Sequence, residues 1–88
     1  MDTTMSRITA DQIRMARASL GWSFEDFALN SGVSARTIRR IERENGLSVV
    51  TRANLKLIIT TLEAAGVEFV GAPGDGPGVR LWGSEHEV

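Results

Sequence analysis

The chain has 88 residues, 42% of them hydrophobic, and no cysteine, so it forms one domain at most and builds its core without disulfides or a cysteine-ligated zinc. Its formal net charge is −1, which by itself argues against a nucleic-acid partner. The charge is unevenly distributed, however, because residues 1–57 hold nine Lys/Arg against six Asp/Glu, whereas residues 58–88 hold one against five. Since the local field decides what a surface attracts, this basic front and acidic back would orient the molecule on a polyanion.

Membrane proteins and enzymes are classes that the sequence gives little reason to consider. No apolar run reaches the roughly 18 residues of a membrane helix, and the N-terminus lacks a signal-peptide pattern, so we expect a cytoplasmic protein. His86 is the only histidine, no His/Cys cluster indicates a metal site, and no Ser–His–Asp set can be placed. No lysine follows the glycine-rich segment 71–78 as a phosphate-binding loop requires. We therefore expect no catalytic activity, no metal and no cofactor.

Capping residues mark the first two helices. Thr9 is the expected N-cap of a helix over about residues 10–20, and Ser23 that of a second helix over about residues 24–30. Gly32 follows the second helix, where glycine can adopt the left-handed conformation that turns the chain. The sequence therefore predicts two short helices with a tight turn after the second.

The third helix is expected over about residues 35–44, with Ser34 as its N-cap. Val33, Ile38 and Ile41 are apolar and are expected to face inward. The remaining outward positions carry four arginines, Arg36, Arg39, Arg40 and Arg43. A tight turn followed by such a helix is the arrangement with which small proteins present one helix to the DNA major groove.

The last third of the chain predicts one more helix and a hairpin. Thr51 is the expected N-cap of a helix over about residues 52–65, whose wide apolar surface indicates two neighbours. The runs 67–70 and 78–82 are rich in β-formers and flank a Gly/Pro-rich loop over residues 71–77, which is typical of a two-stranded hairpin. Because an isolated hairpin is marginal in water, it needs a surface to lie on or a strand of another chain.

The stretch from about Ile13 to Leu62 resembles the lambda-repressor-like, Xre-type helix-turn-helix family of bacterial and phage regulators. The matching segments are IRMAR…LGWS (13–23), FEDFALNSGVS (24–34) and TIRRIERENG (37–46), followed by the amphipathic fourth helix. The resemblance implies a mainly α fold, a four-helix lambda-repressor-like bundle, to which this chain adds a C-terminal two-stranded β-hairpin. It also implies a sequence-specific, DNA-binding regulator of transcription.

The resemblance also implies roles for individual residues. The family's base-reading positions fall on Ala35, Arg36, Arg39 and Arg40. Thr37 matches a position that commonly touches phosphate, and Arg17 and Glu42 match a charged pair kept beneath the recognition helix. Phe24 departs from the family, which often has a glutamine there that contacts the DNA backbone. A further departure is the hairpin, which replaces the fifth helix of many relatives.

Arginine suits base reading because its planar fork can bond O6 and N7 of guanine together. Arg36 and Arg40 lie one turn apart and are the strongest candidates for this role. The alternative is an ordinary solvated face whose charge is balanced by Glu42 and Glu44. The candidate phosphate contacts are Arg14, Ser34, Thr37, Arg43, Arg52 and Lys56.

One such module buries too little surface for a firm specific complex, so we expect a homodimer on an inverted repeat of double-stranded DNA. Residues 9–66 form the expected DNA-binding domain and 67–82 the candidate dimerisation hairpin, between a flexible leader (1–8) and a flexible tail (83–88). The candidate interface residues are Leu57, Thr61, Val67, Phe69, Val79, Leu81 and Trp82.

Two alternatives remain open at this point. The acidic, apolar C-terminal third favours an antitoxin or anti-activator-type module that binds a protein partner and touches DNA only for autoregulation. A small-ligand sensor is the other, although the chain has no evident second domain and little room for a pocket.

Overall fold

The described part of the chain consists of four helices and a two-stranded antiparallel hairpin, as the sequence predicts. The computed structural model describes residues 8–44, 47 and 50–83. The elements are α1 (Ala10–Leu20), α2 (Phe24–Ser31), α3 (Ala35–Glu44), α4 (Arg52–Ala64), β1 (Val67–Ala72) and β2 (Asp75–Leu81). None of these helices is long and apolar enough to cross a membrane. The predicted leader, apart from Ile8, and the predicted tail, apart from Gly83, lie outside the described residues.

Each helix begins at the cap that the sequence predicts, and its bounds agree with the prediction to within one residue. Thr9 Oγ1 accepts a hydrogen bond from the Gln12 backbone N–H at 3.2 Å, and Gln12 Oε1 accepts one from the Thr9 N–H at 2.9 Å. Ser23 forms the same kind of reciprocal box at α2. The side-chain oxygens of Ser34 and Thr51 accept hydrogen bonds from backbone N–H groups in the first turns of α3 and α4. These bonds satisfy amides that a helix start leaves unpaired.

The core lies where apolar faces of the four helices meet. Gly32 has a φ of 80° and ends α2 in the left-handed conformation, so that Val33 turns inward before α3 begins. Val33, Ile38 and Ile41 are buried, which confirms the predicted inward face of the turn and of α3. The other fully buried apolar side chains of the helices are Ile13, Ala16, Phe27, Ile58 and Leu62.

The hairpin strands are longer than predicted, because they extend into the Gly/Pro-rich segment. β1 continues through Ala72 and β2 begins at Asp75, so the predicted loop over residues 71–77 is wrong and shrinks to a two-residue turn. The pairing passes through a bulge at Gly71, which has a φ of 77°. A Cβ there would lie 2.4 Å from the carbonyl oxygen of Gly76. Glycine therefore allows the ladder to continue where any other side chain would block it.

One buried side chain of α1 forms hydrogen bonds with both strands of the hairpin. Gln12 is 1% exposed, and its Nε2 donates hydrogen bonds to the carbonyl oxygens of Val70 and Gly78, both at 2.9 Å. Its Oε1 accepts the Thr9 bond described above, so both ends of the amide are satisfied. The hairpin thus lies on a surface of its own chain. The sequence allows either this arrangement or pairing with a strand of another chain.

This packing corrects one of the predicted dimer-interface residues. Val67 is 4% exposed and belongs to the core, so its side chain has no free area for a second subunit. Phe69 and Val79 are half-buried against the same core, and Thr61 is half-buried on α4. The predicted interface residues that remain exposed are Leu57, Leu81 and Trp82.

Replacing Gln12 with glutamate should lower the free energy of unfolding by about 2–3 kcal/mol. A glutamate still accepts the capping bond from Thr9, but its carboxylate faces the carbonyl oxygens of Val70 and Gly78 without a proton to donate. Urea unfolding measures the change, and Ser19→Glu, at an exposed position of the same helix, is the matched control. Equal stability of the two variants would show that the hairpin is held by other contacts.

Candidate nucleic-acid interface

The outward side of α3 is a row of arginines, which we call the recognition face and define as Arg36, Arg39, Arg40 and Arg43. All four side chains are exposed, and together they line one groove. Ile38 and Ile41, on the opposite side of the helix, are fully buried. The burial of the inner face therefore fixes which side of α3 carries the positive charge.

Three further predicted contact residues lie at the start of α3. Ser34 Oγ accepts the Thr37 N–H at 3.1 Å and donates to Thr37 Oγ1 at 3.0 Å. Ser34 is exposed, whereas Ala35 and Thr37 are half-buried. Ser34 therefore caps α3. Its exposed hydroxyl also lies at the positive end of the helix, where a phosphate is favourably bound.

Arg39 differs from its neighbours on the recognition face because it contacts α2. Its Nη2 lies 3.1 Å from Glu25 Oε2, and its guanidinium carbon lies 5.0 Å from the centre of the Phe24 ring. The ion pair between Arg39 and Glu25 was not predicted from the sequence. No local sequence pattern indicates this pair, because the two residues are 14 positions apart and lie on different helices.

Beneath α3, the structure contains the ion pair between Arg17 and Glu42 that the sequence predicts. Arg17 Nε lies 2.7 Å from Glu42 Oε2, and Nη2 lies 2.9 Å from Oε1, while Nη1 donates to the Trp22 carbonyl oxygen at 3.0 Å. The side chains are 19% and 5% exposed. The hydrogen bond to Glu42 raises the pKa of Arg17 above its ordinary value, although burial acts in the opposite direction. The pair joins α1 to α3 and so braces α3 against the first helix.

The other predicted phosphate contacts are spread over two helices. Arg14 forms an ion pair with Asp11 and donates to the Glu42 carbonyl oxygen, which places it beside α3. Arg52 and Lys56 are exposed on α4. The structure thus brings Arg14 to α3, whereas the other two cations lie on α4.

Comparison with protein-family models gives a match to a helix-turn-helix family over residues 13–65, which is more than half of the chain. The chain belongs to the lambda-repressor-like, Xre-type helix-turn-helix family. This is a family of DNA-binding regulators of transcription and is not typically enzymatic. Comparison with curated proteins and with solved structures gave no match. The family match ends one residue after α4, so the hairpin lies outside the matched residues.

Phe24 has a different role in this helix-turn-helix protein from that of the glutamine common in the family. Its half-buried ring packs against the core and lies 4.2 Å from the guanidinium carbon of Arg17 and 5.0 Å from that of Arg39. Cations over an aromatic face are attracted by the ring electrons. Phe24 also lines a cavity of about 380 Å³, together with Arg14, Arg17, Arg39, Glu42 and Arg43. Arg39 and Arg43 belong to the recognition face and also line this cavity. The positive surface therefore continues from α3 toward the start of α2.

Proposed function

We propose that this helix-turn-helix protein binds double-stranded DNA sequence-specifically and regulates transcription, with α3 in the major groove. The observation that carries the proposal is the recognition face, whose four arginines line one groove on the outer side of a helix. The buried pair of Arg17 and Glu42 supports it, because a helix braced in this way keeps its side chains in register with base edges. A protein of this kind acts on DNA in the cytoplasm.

Base reading is assigned to the start and middle of α3. Arg36 and Arg40 lie one turn apart, so each can present its planar fork to a guanine, and Ala35 is small enough to approach a base closely. The proposed phosphate contacts are those that the sequence predicts, namely Arg14, Ser34, Thr37, Arg43, Arg52 and Lys56. Phosphate contacts set the position of the helix and base contacts set the sequence.

We further propose a homodimer on an inverted repeat, with half-site centres about 10–11 bp apart. Residues 9–66 would serve as the DNA-binding domain and 67–82 as the dimerisation element. Leu81 and Trp82 are 39% and 59% exposed on the hairpin, and Leu57 is 45% exposed on α4. Exposed apolar side chains of this size favour burial between subunits, and Thr61, Phe69 and Val79 would contribute their free edges.

A gel-shift series on DNA from upstream of its own gene, at two salt concentrations, tests the function. The best-bound fragment, called the operator duplex below, should be bound far more tightly than a random-sequence duplex of equal length. Its affinity should fall steeply as salt rises, because phosphate contacts release counterions. Sedimentation of the complex should give two protomers per operator duplex. Equal affinity for all duplexes would contradict the proposal, and one protomer per duplex would contradict the dimer.

A second candidate is an antitoxin or anti-activator-type module that binds a protein and uses DNA only for autoregulation. The observation that favours it is the end of the hairpin, where Leu81 and Trp82 are exposed and Trp82 Nε1 donates to Glu68 Oε1 at 2.7 Å. Co-purification with the product of a neighbouring gene, lost on replacing Trp82 with serine, would favour this function.

A further inference from the structure

The Arg39 guanidinium is held at one edge of the recognition face. Glu25 and Phe24, its two partners, are the first two residues of α2. At about 100° per residue, Arg36 and Arg40 lie about 40° apart around α3, whereas Arg39 lies about 100° from Arg40. Arg39 is therefore on the flank of α3 that faces the start of the neighbouring helix.

This position bears on which part of the DNA Arg39 can reach. When a helix-turn-helix docks, its second helix enters the major groove and its first helix crosses the sugar–phosphate backbone. Here those helices are α3 and α2. In the docked complex, a side chain of α3 that is held against the start of α2 lies nearest to the sugar–phosphate backbone of the DNA. Arg36 and Arg40 lie nearest to the bases.

We propose that Arg39 contacts a DNA phosphate rather than a base edge, and that Glu25 limits the strength of this contact. The inference rests on the proposed function and replaces the base-reading role that the sequence assigns to Arg39. A guanidinium has five N–H donors, of which Glu25 Oε2 takes one and the Phe24 ring covers one face. The remaining donors are directed to phosphate oxygens. Glu25, whose side chain is 69% exposed, places a negative charge beside the same phosphate and so opposes binding.

Replacing Arg39 with glutamine tests the first half of the proposal. The affinity for the operator duplex and for the random-sequence duplex should fall by the same factor, roughly tenfold in low salt, and the slope of log affinity against log salt should decrease by about one unit. Arg36→Gln is the matched control, since it should lower the affinity for the operator duplex much more than that for the random duplex.

Replacing Glu25 with glutamine tests the second half. Glutamine keeps an oxygen that can accept the Arg39 bond but removes the charge, so both duplexes should be bound several-fold more tightly. Unchanged affinity in this variant would overturn the limiting role of Glu25. Thermal melting of each variant shows whether its fold is retained, and both exposed substitutions should melt close to the parent protein.

The possible failures have distinct meanings. If Arg39→Gln reduces the ratio of operator to random affinity as Arg36→Gln does, Arg39 reads a base and the inference is wrong while the proposed function stands. If Arg39→Gln leaves both affinities unchanged, Arg39 does not contact DNA and the inference is equally wrong. If the parent protein binds no duplex better than a random one, the proposed function itself fails.

Discussion

Replacing Glu42 with alanine should lower the free energy of unfolding by about 3–5 kcal/mol, because it leaves a largely buried guanidinium without its partner. Arg17 is 19% exposed, and Glu42 takes two of its three hydrogen bonds in the site. An arginine side chain keeps its proton in proteins even when it is buried, so Arg17 does not escape the loss by becoming neutral. A decrease of more than about 10 °C in Tm is expected for a domain of this size.

A matched control for this prediction is Glu25→Ala. The Glu25–Arg39 bridge also joins α3 to a neighbouring helix, but its side chains are 69% and 48% exposed, so its loss should cost under about 1 kcal/mol. A double variant, Arg17→Met with Glu42→Leu, should recover much of the stability, because no unpaired charge remains. Unchanged thermal stability of Glu42→Ala would refute the structural role of the pair.

Replacing Arg36 or Arg40 with alanine should abolish the preference of the protein for its operator without unfolding it. Each lost guanine contact should cost about 1–3 kcal/mol, or roughly 5–150-fold in affinity for each half-site of the operator duplex. Affinity for a random-sequence duplex should change far less. Fluorescence anisotropy with both labelled duplexes measures the ratio, and melting curves verify that the fold is retained.

The matched control for the base readers is Arg52→Ala, an exposed arginine on α4 that is proposed to meet phosphate. It should weaken binding to both duplexes by a similar factor and reduce the salt dependence by about one unit. If the footprints of Arg36→Ala and Arg40→Ala are unchanged, a surface other than α3 contacts the bases.

Much of this molecule follows from interactions that are short-range in sequence. Thr9, Ser23, Ser34 and Thr51 cap their helices through bonds that span three residues, so the sequence determines where each helix begins. The apolar periodicity of α3 likewise determines which side is buried and therefore which side carries the arginines. These features need no knowledge of how the elements pack, which is why they could be predicted.

The tertiary structure alone decided how distant segments meet. Gln12 bonds to carbonyl groups 58 and 66 residues away, Arg39 pairs with Glu25 on another helix, and Val67 turns into the core. Each contact depends on the angle and distance between packed elements, which no local pattern of residues encodes. The sequence therefore determined the helices and the charged face of α3, whereas packing decided which arginine lies beside α2 and where the hairpin rests.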